Sequence, residues 1–325
     1  MKYRRAELHN HSTESDGSLT IGGLVDYGEE NQFGILAVTD HNTCSGHGKA
    51  KSRIREKGYG LGLLEGVEVT TFYGHVLALG LKEMVDYTEL DPGSPELVFG
   101  KIREQGAVVG IAHPFCVGAP VLEGCRFSMD VKNWNLVDYI EIFNTSAGDE
   151  FSGNEKALEL WENLVLQGYP LAACSGKDLH RKPEYKNHGP GQPEHEFTTF
   201  IMGMDSGPDV AGEVLGAIRK QRTIVSKGPL FEAFLQDENQ LCIRFDHTNP
   251  YQDWNKRYEQ HELLVTVRDS LGFWQCIELM GRDEILARLE TGVQAAVVRI
   301  YHRSCEFQNL LAAGMPVYKK SGRTG

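Results

Sequence analysis

Ala6-Glu7-Leu8-His9-Asn10-His11, followed at once by Ser12-Thr13-Glu14-Ser15-Asp16-Gly17, is the stretch of the sequence that determines the fold. A short alternating run that ends in two histidines two residues apart predicts a β-strand with both imidazoles on one face, because side chains repeat with period two along a strand. Imidazole is the commonest protein ligand for zinc-like and iron-like ions, and Asp16 adds a carboxylate from the following loop. The stretch therefore predicts one part of a metal site.

Composition limits the classes of protein to consider. The chain has 325 residues, of which 41% are hydrophobic and 24% are charged, as in a globular protein with one large α/β domain, alone or with a small extra module. The formal net charge of −12 argues against sequence-independent binding of a nucleic-acid polymer. The seven cysteines form no C-x-x-C pair, so we expect reduced thiols in a cytoplasmic protein. No apolar run approaches the ~18 residues of a membrane span, so we expect no membrane partner.

Predicted strands and helices alternate along the first two thirds of the chain. Continuous apolar runs predict buried strands, and apolar residues at helical spacing predict helices. The polar, basic segment from Ser45 to Lys57 is also predicted to be helical. The predicted strands are 6–11, 34–39, 61–69, 74–79, 107–112, 138–144 and 170–174, and the predicted helices are 20–32, 45–57, 94–105 and 154–167. Such alternation predicts an α/β fold.

Ionisable residues follow these predicted strands at a consistent position. At or just after the carboxyl ends of strands lie His9, His11, His41, Glu68, His113, Asp178 and His180. Loops gather and chemistry occurs at that end of barrels and other parallel α/β folds. A single such histidine is more typical of a buried, hydrogen-bonded side chain, but several strands that agree predict one shared polynuclear metal site.

The motifs have a characteristic order. They are His-x-His at 9–11, Ser-Asp-Gly at 15–17, Thr-Asp-His-Asn at 39–42, Gly-Val-Glu-Val-Thr at 66–70, Gly-His at 74–75, His-Pro at 113–114 and Ser-Gly-x-Asp-x-His at 175–180. This order resembles that of the PHP (polymerase and histidinol phosphatase) superfamily of metal-dependent phosphoesterases. Glu-Ile-Phe-Asn at 141–144 and Arg-Thr-Ile-Val-Ser-Lys-Gly-Pro at 222–229 resemble the branch that contains carbaryl hydrolase.

The resemblance implies a fold and a ligand set. The fold is α/β, a distorted (β/α)7 barrel over residues 1–230, with two or three divalent metal ions of zinc, manganese or iron. The first ion would take His9, His11, Glu68 and Asp178, Glu68 would bridge to a second ion held by His75 and His113, and a third would take Asp16, His41 and His180. Asp16 or His180 would instead transfer protons if the third ion were absent. We also expect Asp40, Glu65 and Glu141, which lie close to these positions in sequence, to orient the imidazoles.

This ligand set predicts hydrolysis of a small phosphate ester or nucleotide. Imidazoles and carboxylates without thiolates suit ions that activate water for attack on phosphorus. The nearest cations in sequence, and our candidates for contact with a substrate phosphate, are Lys177, Arg181 and Lys227. The turn-rich segment 181–196, with His188 and His195, fits a lid, a phosphate-contacting loop or a solvated connector.

After residue 230 the pattern changes to short strands. Runs at 230–236, 241–245, 262–268, 273–279 and 297–302, with one helix at 283–290, predict a small β-rich C-terminal module over residues 231–325. Tyr251, Trp254 and Tyr258 could form a ligand platform, although packing is their more ordinary role.

Two other functions remain open from the sequence. The same metal site could hydrolyse carboxylic or carbamic esters. Alternatively, the metals could be structural in a non-catalytic binding protein, which is disfavoured because structural zinc sites usually have four closed ligands, often cysteines. An amidohydrolase barrel also begins with His-x-His, but it fits the positions of Asp16, Glu68 and Asp178 less well. The sequence leaves the oligomeric state open.

Overall fold

One large mixed sheet organises the chain. The computed structural model describes residues 3–117, 125–145, 153–182, 196–204, 210–248 and 258–319. The strands are β1 Tyr3–Glu7, β2 Ile35–Val38, β3 Gly62–Thr71, β4 Gly74–Leu79, β5 Val108–Ile111, β6 Tyr139–Asn144, β7 Ala172–Gly176, β8 Thr198–Met202, β9 Thr223–Ser226, β10 Phe231–Asp237, β11 Gln240–Phe245, β12 Leu263–Asp269, β13 Trp274–Glu278, β14 Glu284–Arg288, β15 Ala295–His302 and β16 Leu310–Tyr318. The α-helices are α1 Ile21–Glu30, α2 His47–Lys57, α3 Glu96–Glu104, α4 Asn154–Leu166 and α5 Val210–Arg219.

Thirteen strands form the main sheet in the order β13-β12-β15-β16-β9-β8-β1-β2-β3-β4-β5-β6-β7. The β1-β2-β3 and β5-β6-β7 pairs are parallel, whereas β4 is antiparallel to both of its neighbours and β8 is antiparallel to β1 and β9. The α/β class predicted from the sequence is confirmed.

The closed seven-stranded barrel is not confirmed. Among the described strands, β7 has a backbone ladder with β6 alone, so the sheet is open at β7. Threonine side chains make the contacts between β7 and the strands β8 and β9. Thr199 Oγ1 accepts a hydrogen bond from Ser175 N at 2.7 Å, and Thr223 Oγ1 donates to Ala173 O at 2.7 Å.

Local sequence signals explain where α1 begins and where α2 ends. Thr20 caps α1, because its Oγ1 accepts a hydrogen bond from Gly23 N at 3.1 Å. Gly58 ends α2 in the left-handed conformation with φ 64°, which glycine adopts without steric cost. The four helices predicted for the first two thirds of the chain are confirmed to within a few residues.

The C-terminal third is built from strands, as predicted. The sheet β10-β11-β14 packs against β12, β15 and β16 over a shared apolar cluster that includes Phe231, Val265 and Ile300. The helix predicted at 283–290 is wrong: Glu284–Arg288 is strand β14, which pairs with β11. β16 also pairs with β9, so the main sheet continues past residue 230. The division into domains 1–230 and 231–325 stays a prediction.

Some predictions fall on residues that the structure does not describe, namely His188, His195, Tyr251, Trp254 and most of segment 181–196. Tyr258 is described, and it packs beside the C-terminal apolar cluster. None of the helices in the described ranges is long and apolar enough to cross a membrane.

Candidate metal centre

Two short extended segments lie side by side, and each carries a pair of candidate ligands two residues apart. The pairs are His9 with His11 and Asp178 with His180. The first strand ends at Glu7, slightly earlier than predicted, and the histidines follow it. Asn10 forms an isolated parallel bridge with Leu179. His11 N donates to Leu179 O at 3.0 Å and Leu179 N donates to His9 O at 3.3 Å. This pairing sets residues 9–11 beside residues 178–180.

Four further candidates lie on or just after the neighbouring strands β2 to β5, while Asp16 lies on the loop before α1. His41 follows β2 and bridges to Glu68 within β3, while His75 lies at the start of β4. Because β4 is antiparallel, its first residues lie at the same edge as the carboxyl ends of β3 and β5. His113 follows β5, and both His113 and Asp178 have positive φ values of 25° and 52°. Such backbone is uncommon for residues other than glycine and clusters at functional sites.

The first group contains His9, His11, Glu68 and Asp178. His9 Nε2 lies 3.3 Å from Glu68 Oε1 and 3.4 Å from Asp178 Oδ1. His11 Nε2 lies 3.3 Å from Glu68 Oε2 and 3.0 Å from Asp178 Oδ1. A cation with bonds of about 2.1 Å in tetrahedral or octahedral geometry separates its ligand atoms by about 3.0 to 3.4 Å. The spacing of this group therefore fits one metal ion.

The second group shares Glu68 with the first and adds His75 and His113. Glu68 Oε1 lies 2.9 Å from His75 Nδ1 and 3.2 Å from His113 Nε2. Glu68 is fully buried and lies between the two groups. A carboxylate in this position can bridge two cations.

The third group contains His11, Asp16, His41 and His180. Asp16 Oδ1 lies 3.5 Å from His41 Nε2 and 3.3 Å from His180 Nε2. The side chains of Asp16, His180 and His41 are 59%, 35% and 21% exposed, whereas those of the first group are 12% exposed or less. The third group therefore forms the solvent side of the centre.

Hydrogen bonds fix which nitrogen some imidazoles offer. His9 Nδ1 contacts Glu141 Oε1 at 3.0 Å, and His113 Nδ1 donates to the Cys125 carbonyl at 2.9 Å. With Nδ1 engaged in each case, Nε2 is the nitrogen that faces the other ligands and would bind a cation. Glu141 Oε2 also accepts from His113 N at 2.8 Å. Glu141 thus has the orienting contacts expected for it.

Asp40 and Glu65 have different partners from those expected. Asp40 accepts hydrogen bonds from Ser12 and Ser15, so it shapes the loop that carries Asp16 without touching an imidazole of the centre. Glu65 pairs with Lys51 at 2.8 Å on the surface. Asp40 and Glu65 are thus close to the ligand motifs in the sequence, but they do not orient the imidazoles of the centre.

Two residues that the sequence analysis did not single out also support the centre. Glu7 Oε1 accepts from His9 N at 3.3 Å and from Lys177 N at 2.8 Å, which joins the two ligand segments. Thr70 Oγ1 is hydrogen-bonded to His41 Nδ1. The sequence does carry a signal for Glu7, because a carboxylate inside the first predicted strand is unusual unless it has a buried partner. The resemblance, in contrast, includes Thr70 within a motif but assigns it no role.

The residues fit a bound metal. His9 Nε2 and both ring nitrogens of His11 are buried and have no hydrogen-bond partner of normal geometry. Burying polar atoms without partners is costly, so such atoms need an explanation. A cation among the ligand atoms would satisfy His9 Nε2 and His11 Nε2, which face Glu68 and Asp178.

The electrostatics of the metal-free centre agree with this. Burial disfavours the charged form of His11, but the nearby carboxylates of Asp178 and Glu68 outweigh it and raise the pKa of His11 to about 9. Burial is likewise outweighed by Glu68 and Asp178 at His113, whose pKa is raised to about 9. The pKa values of Glu68 and Asp178 are well below their usual range, because nearby imidazoles outweigh burial. Both carboxylates are therefore negatively charged, as binding of a cation requires.

The three cationic side chains predicted to contact the substrate phosphate differ in burial and in their partners. Lys177 is buried, and its Nζ lies 2.5 Å from Glu196 Oε2. Lys227 Nζ lies 4.4 Å from the centre of the Phe197 ring. Arg181 is exposed directly after the third group. Of the three, Arg181 is the most accessible to a substrate.

Curated relatives match parts of the chain. No model of a known protein family matches the sequence. The 5'-3' exoribonuclease Rnm of Escherichia coli (strain K12) is 38% identical over 79 residues, 23% of this chain and 27% of its own length. The 3',5'-nucleoside bisphosphate phosphatase of Chromobacterium violaceum is 36% identical over 104 residues, 30% of this chain and 33% of its own. The chain thus spans about a third or less of these two relatives.

A relative with broader coverage and one solved structure extend the comparison. An uncharacterized protein of Methanocaldococcus jannaschii is 31% identical over 162 residues, 46% of this chain and 87% of its own length. A two-domain protein from Bacteroides vulgatus that contains a predicted PHP-like metal-dependent phosphoesterase superposes with a TM-score of 0.56 at 14% identity. The superposition covers 97% of this chain and 95% of that one, and at this identity it shows a shared fold.

The fold and the grouped ligand residues are those expected of a metal-dependent phosphoesterase. By sequence, the chain belongs to one family with the Methanocaldococcus jannaschii protein. Its motif order is that of the PHP superfamily, and the fold shared with the Bacteroides vulgatus protein agrees with this. The assignment to the branch that contains carbaryl hydrolase stays a prediction.

Proposed function

We propose that the protein hydrolyses a small phosphate ester or nucleotide at a centre of two or three divalent cations. The observation that carries this proposal is the position of Glu68. One of its oxygens faces His9, His75 and His113, and the other faces His11 and His41 Nδ1 at 2.8 Å. Clustered cations joined by a carboxylate suit phosphoryl transfer, because they stabilise both the attacking and the leaving oxygens.

The nine candidate ligands would divide this work as the resemblance implies. His9, His11, Glu68 and Asp178 would hold one ion, Glu68, His75 and His113 a second, and Asp16, His41 and His180 a third. When bound, zinc, manganese or iron ions would lower the pKa of water and neutralise charge on the phosphoryl group. The chain's own contribution is to fix the imidazoles through Glu141 and the Cys125 carbonyl and to exclude water from the buried side.

The exposed third group would face the substrate. Asp16 and His180 are the most exposed of the ligands, so they are placed to exchange protons with a leaving group if the third ion is absent. Arg181 follows this group and would contact the substrate phosphate, while the ion pair of Lys177 with Glu196 would have to open before Lys177 took part.

The names of the relatives favour nucleotide phosphates within this class. One is a nucleoside bisphosphate phosphatase and another is an exoribonuclease. The net charge of −12 disfavours tight binding of a long polyanion, so we favour a mononucleotide or a short oligonucleotide over a nucleic-acid polymer. We also propose a cytoplasmic location.

Metal content and turnover test the proposal together. Protein purified without chelator should contain two or three ions per chain and hydrolyse members of a panel of phosphate monoesters and diesters. His9→Ala should remove bound metal and abolish turnover, because His9 belongs to the first group. His261→Ala is the matched control, since His261 is 65% exposed and pairs with Glu259 outside the centre. Full activity of metal-free protein, or of His9→Ala, would overturn the proposal.

A further inference from the structure

Two exposed aromatic side chains lie at the end of the hairpin that carries Glu68 and His75. The strands β3 and β4 are joined by a two-residue turn, Phe72-Tyr73, because Thr71 pairs with Gly74. Phe72 is 67% exposed and Tyr73 is 38% exposed. The two rings lie 5.6 Å apart at an interplanar angle of 90°. The two adjacent rings form an apolar surface whose exposure to water is unfavourable.

The strands on either side of the turn carry ligands on the face that lines the centre. His75 is paired with Thr70 across the two strands, and Thr70 Oγ1 contacts His41 Nδ1. Glu68 lies two residues before Thr70 and therefore on the same face. The turn directly continues this face of β3 and β4, on the side of the partly exposed His41. Phe72 and Tyr73 lie two residues beyond Thr70 and His75 along the two strands.

The turn is also held in place. Tyr73 O accepts hydrogen bonds from Ser128 N at 2.8 Å and Ser128 Oγ at 3.0 Å, and Tyr73 N donates to Thr71 Oγ1 at 3.1 Å. Gly74 has φ 131°, and a side chain there would collide with Phe127. A fixed turn presents its rings at a constant distance from the ligands, which suits recognition better than a mobile loop does.

We propose that Phe72 and Tyr73 bind the nucleobase of the substrate, so that the substrate class is nucleoside phosphates rather than sugar phosphates in general. This inference rests on the proposed function and adds a specificity site to it. One aromatic face stacks on the base, and the second ring, at right angles, contacts its edge. Stacking accepts any base, because every base has a π-face, so the site would select for a base without strong preference among bases.

Paired substrates with and without a base give the test. Adenosine 5'-monophosphate and ribose 5-phosphate carry the same phosphoester, and adenosine 3',5'-bisphosphate extends the series. The metal-loaded wild-type protein should prefer the nucleotides. The double variant Phe72→Ala/Tyr73→Ala should raise KM for the nucleotides about ten- to a hundredfold. It should leave kcat, bound metal and the turnover of ribose 5-phosphate unchanged. Phe273→Ala, at an exposed phenylalanine between β12 and β13, is the matched control.

A spectroscopic measurement separates this inference from the proposed function. Phe72→Trp should show fluorescence quenching with adenosine 5'-monophosphate but not with ribose 5-phosphate, relative to wild type, whether or not the phosphate is hydrolysed. Equal use and equal binding of both compounds by wild type would overturn the base site while leaving phosphoesterase activity standing. Base-dependent quenching without any turnover would support the base site and contradict the proposed function. Loss of self-association in the double variant, without a change in KM, would identify the rings as a contact between copies and overturn the inference.

Discussion

Glu141 shows how a single buried carboxylate can set the chemistry of a ligand that it touches. Its Oε1 holds His9 Nδ1, and its Oε2 accepts from His113 N and from Asn144 Nδ2 at 3.1 Å. The contacts orient one ligand side chain and the backbone of another. Partners of this kind also raise the basicity of the imidazole, which strengthens its bond to a cation.

Replacing Glu141 by glutamine tests this role. Glu141→Gln keeps the shape but removes the negative charge beside His9, so metal affinity should fall about 10- to 100-fold. Titration of metal-free protein with zinc or manganese by calorimetry measures the effect. Glu65→Gln is the matched control, because Glu65 pairs with Lys51 away from the ligands. Equal losses in the two variants would show that Glu141 does not act through His9.

The raised pKa values of two ligands predict how metal binding depends on pH. Without metal, His11 and His113 hold protons up to about pH 9, yet a cation requires the neutral imidazole. Binding at about pH 7.5 should therefore release protons, and apparent affinity should rise as pH increases toward about 9. Calorimetry in buffers of different ionisation enthalpy counts the released protons. Proton-neutral binding at that pH would contradict the assignment of these residues as ligands.

At the scale of elements, sequence patterns predicted most strands and helices of the first two thirds of the chain. Apolar runs and helical spacing are local signals, so they locate α1 to α4 and β2 to β7 well. The grouping of ligands was predicted from their position at strand ends and from motif order. The structure brings all nine together, and their role as ligands stays a prediction.

Features that depend on tertiary contacts were not predictable in the same way. Glu284-Ile-Leu-Ala-Arg288 contains residues with good helix propensity, and this led to the wrong prediction of a helix. In the structure Ile285 and Ala287 are buried while Leu286 is 47% exposed, an alternation imposed by pairing with β11. The parallel bridge between Asn10 and Leu179 likewise joins segments far apart in sequence, and no local pattern reveals it.

The end of β7 approaches the centre so closely that its last residue must be small. A Cβ built at Gly176 would overlap both Glu141 Oε1 and the Cβ of His9. Gly176→Ala should therefore displace this pair and weaken metal binding, with a smaller effect on overall unfolding. Metal content and thermal unfolding of the same samples separate the two effects.

Gly100 in α3 provides the control for this substitution. A Cβ there meets nothing within 4 Å, so Gly100→Ala should retain metal and gain about 0.5–1 kcal/mol of stability from helix propensity. Wild-type metal affinity in Gly176→Ala would show that the strand end can move away without affecting His9.

At the scale of the whole molecule, one buried carboxylate joins helix α4 to the C-terminal strands. Glu162 is fully buried and forms ion pairs with Arg268 of β12, at 3.1 Å, and with Arg299 of β15. Burial opposes the charge on Arg299, but its hydrogen bonds to Glu162 outweigh this and raise the pKa of the guanidinium. The region that carries the ligands and the β-rich C-terminal region are therefore held together by charge as well as by the continuous sheet.

Removal of Glu162 should destabilise the protein without changing the metal centre directly. Glu162→Ala leaves two guanidinium groups without their anion, and breaking a buried ion pair costs about 3 kcal/mol or more. Denaturant unfolding followed by circular dichroism measures the loss. Glu284→Ala removes an exposed pair with Arg244, for which we expect less than about 1 kcal/mol. If the two variants lost equal stability, Glu162 would not hold the two regions together. A lower metal content in folded Glu162→Ala would instead show that the C-terminal strands help to form the centre.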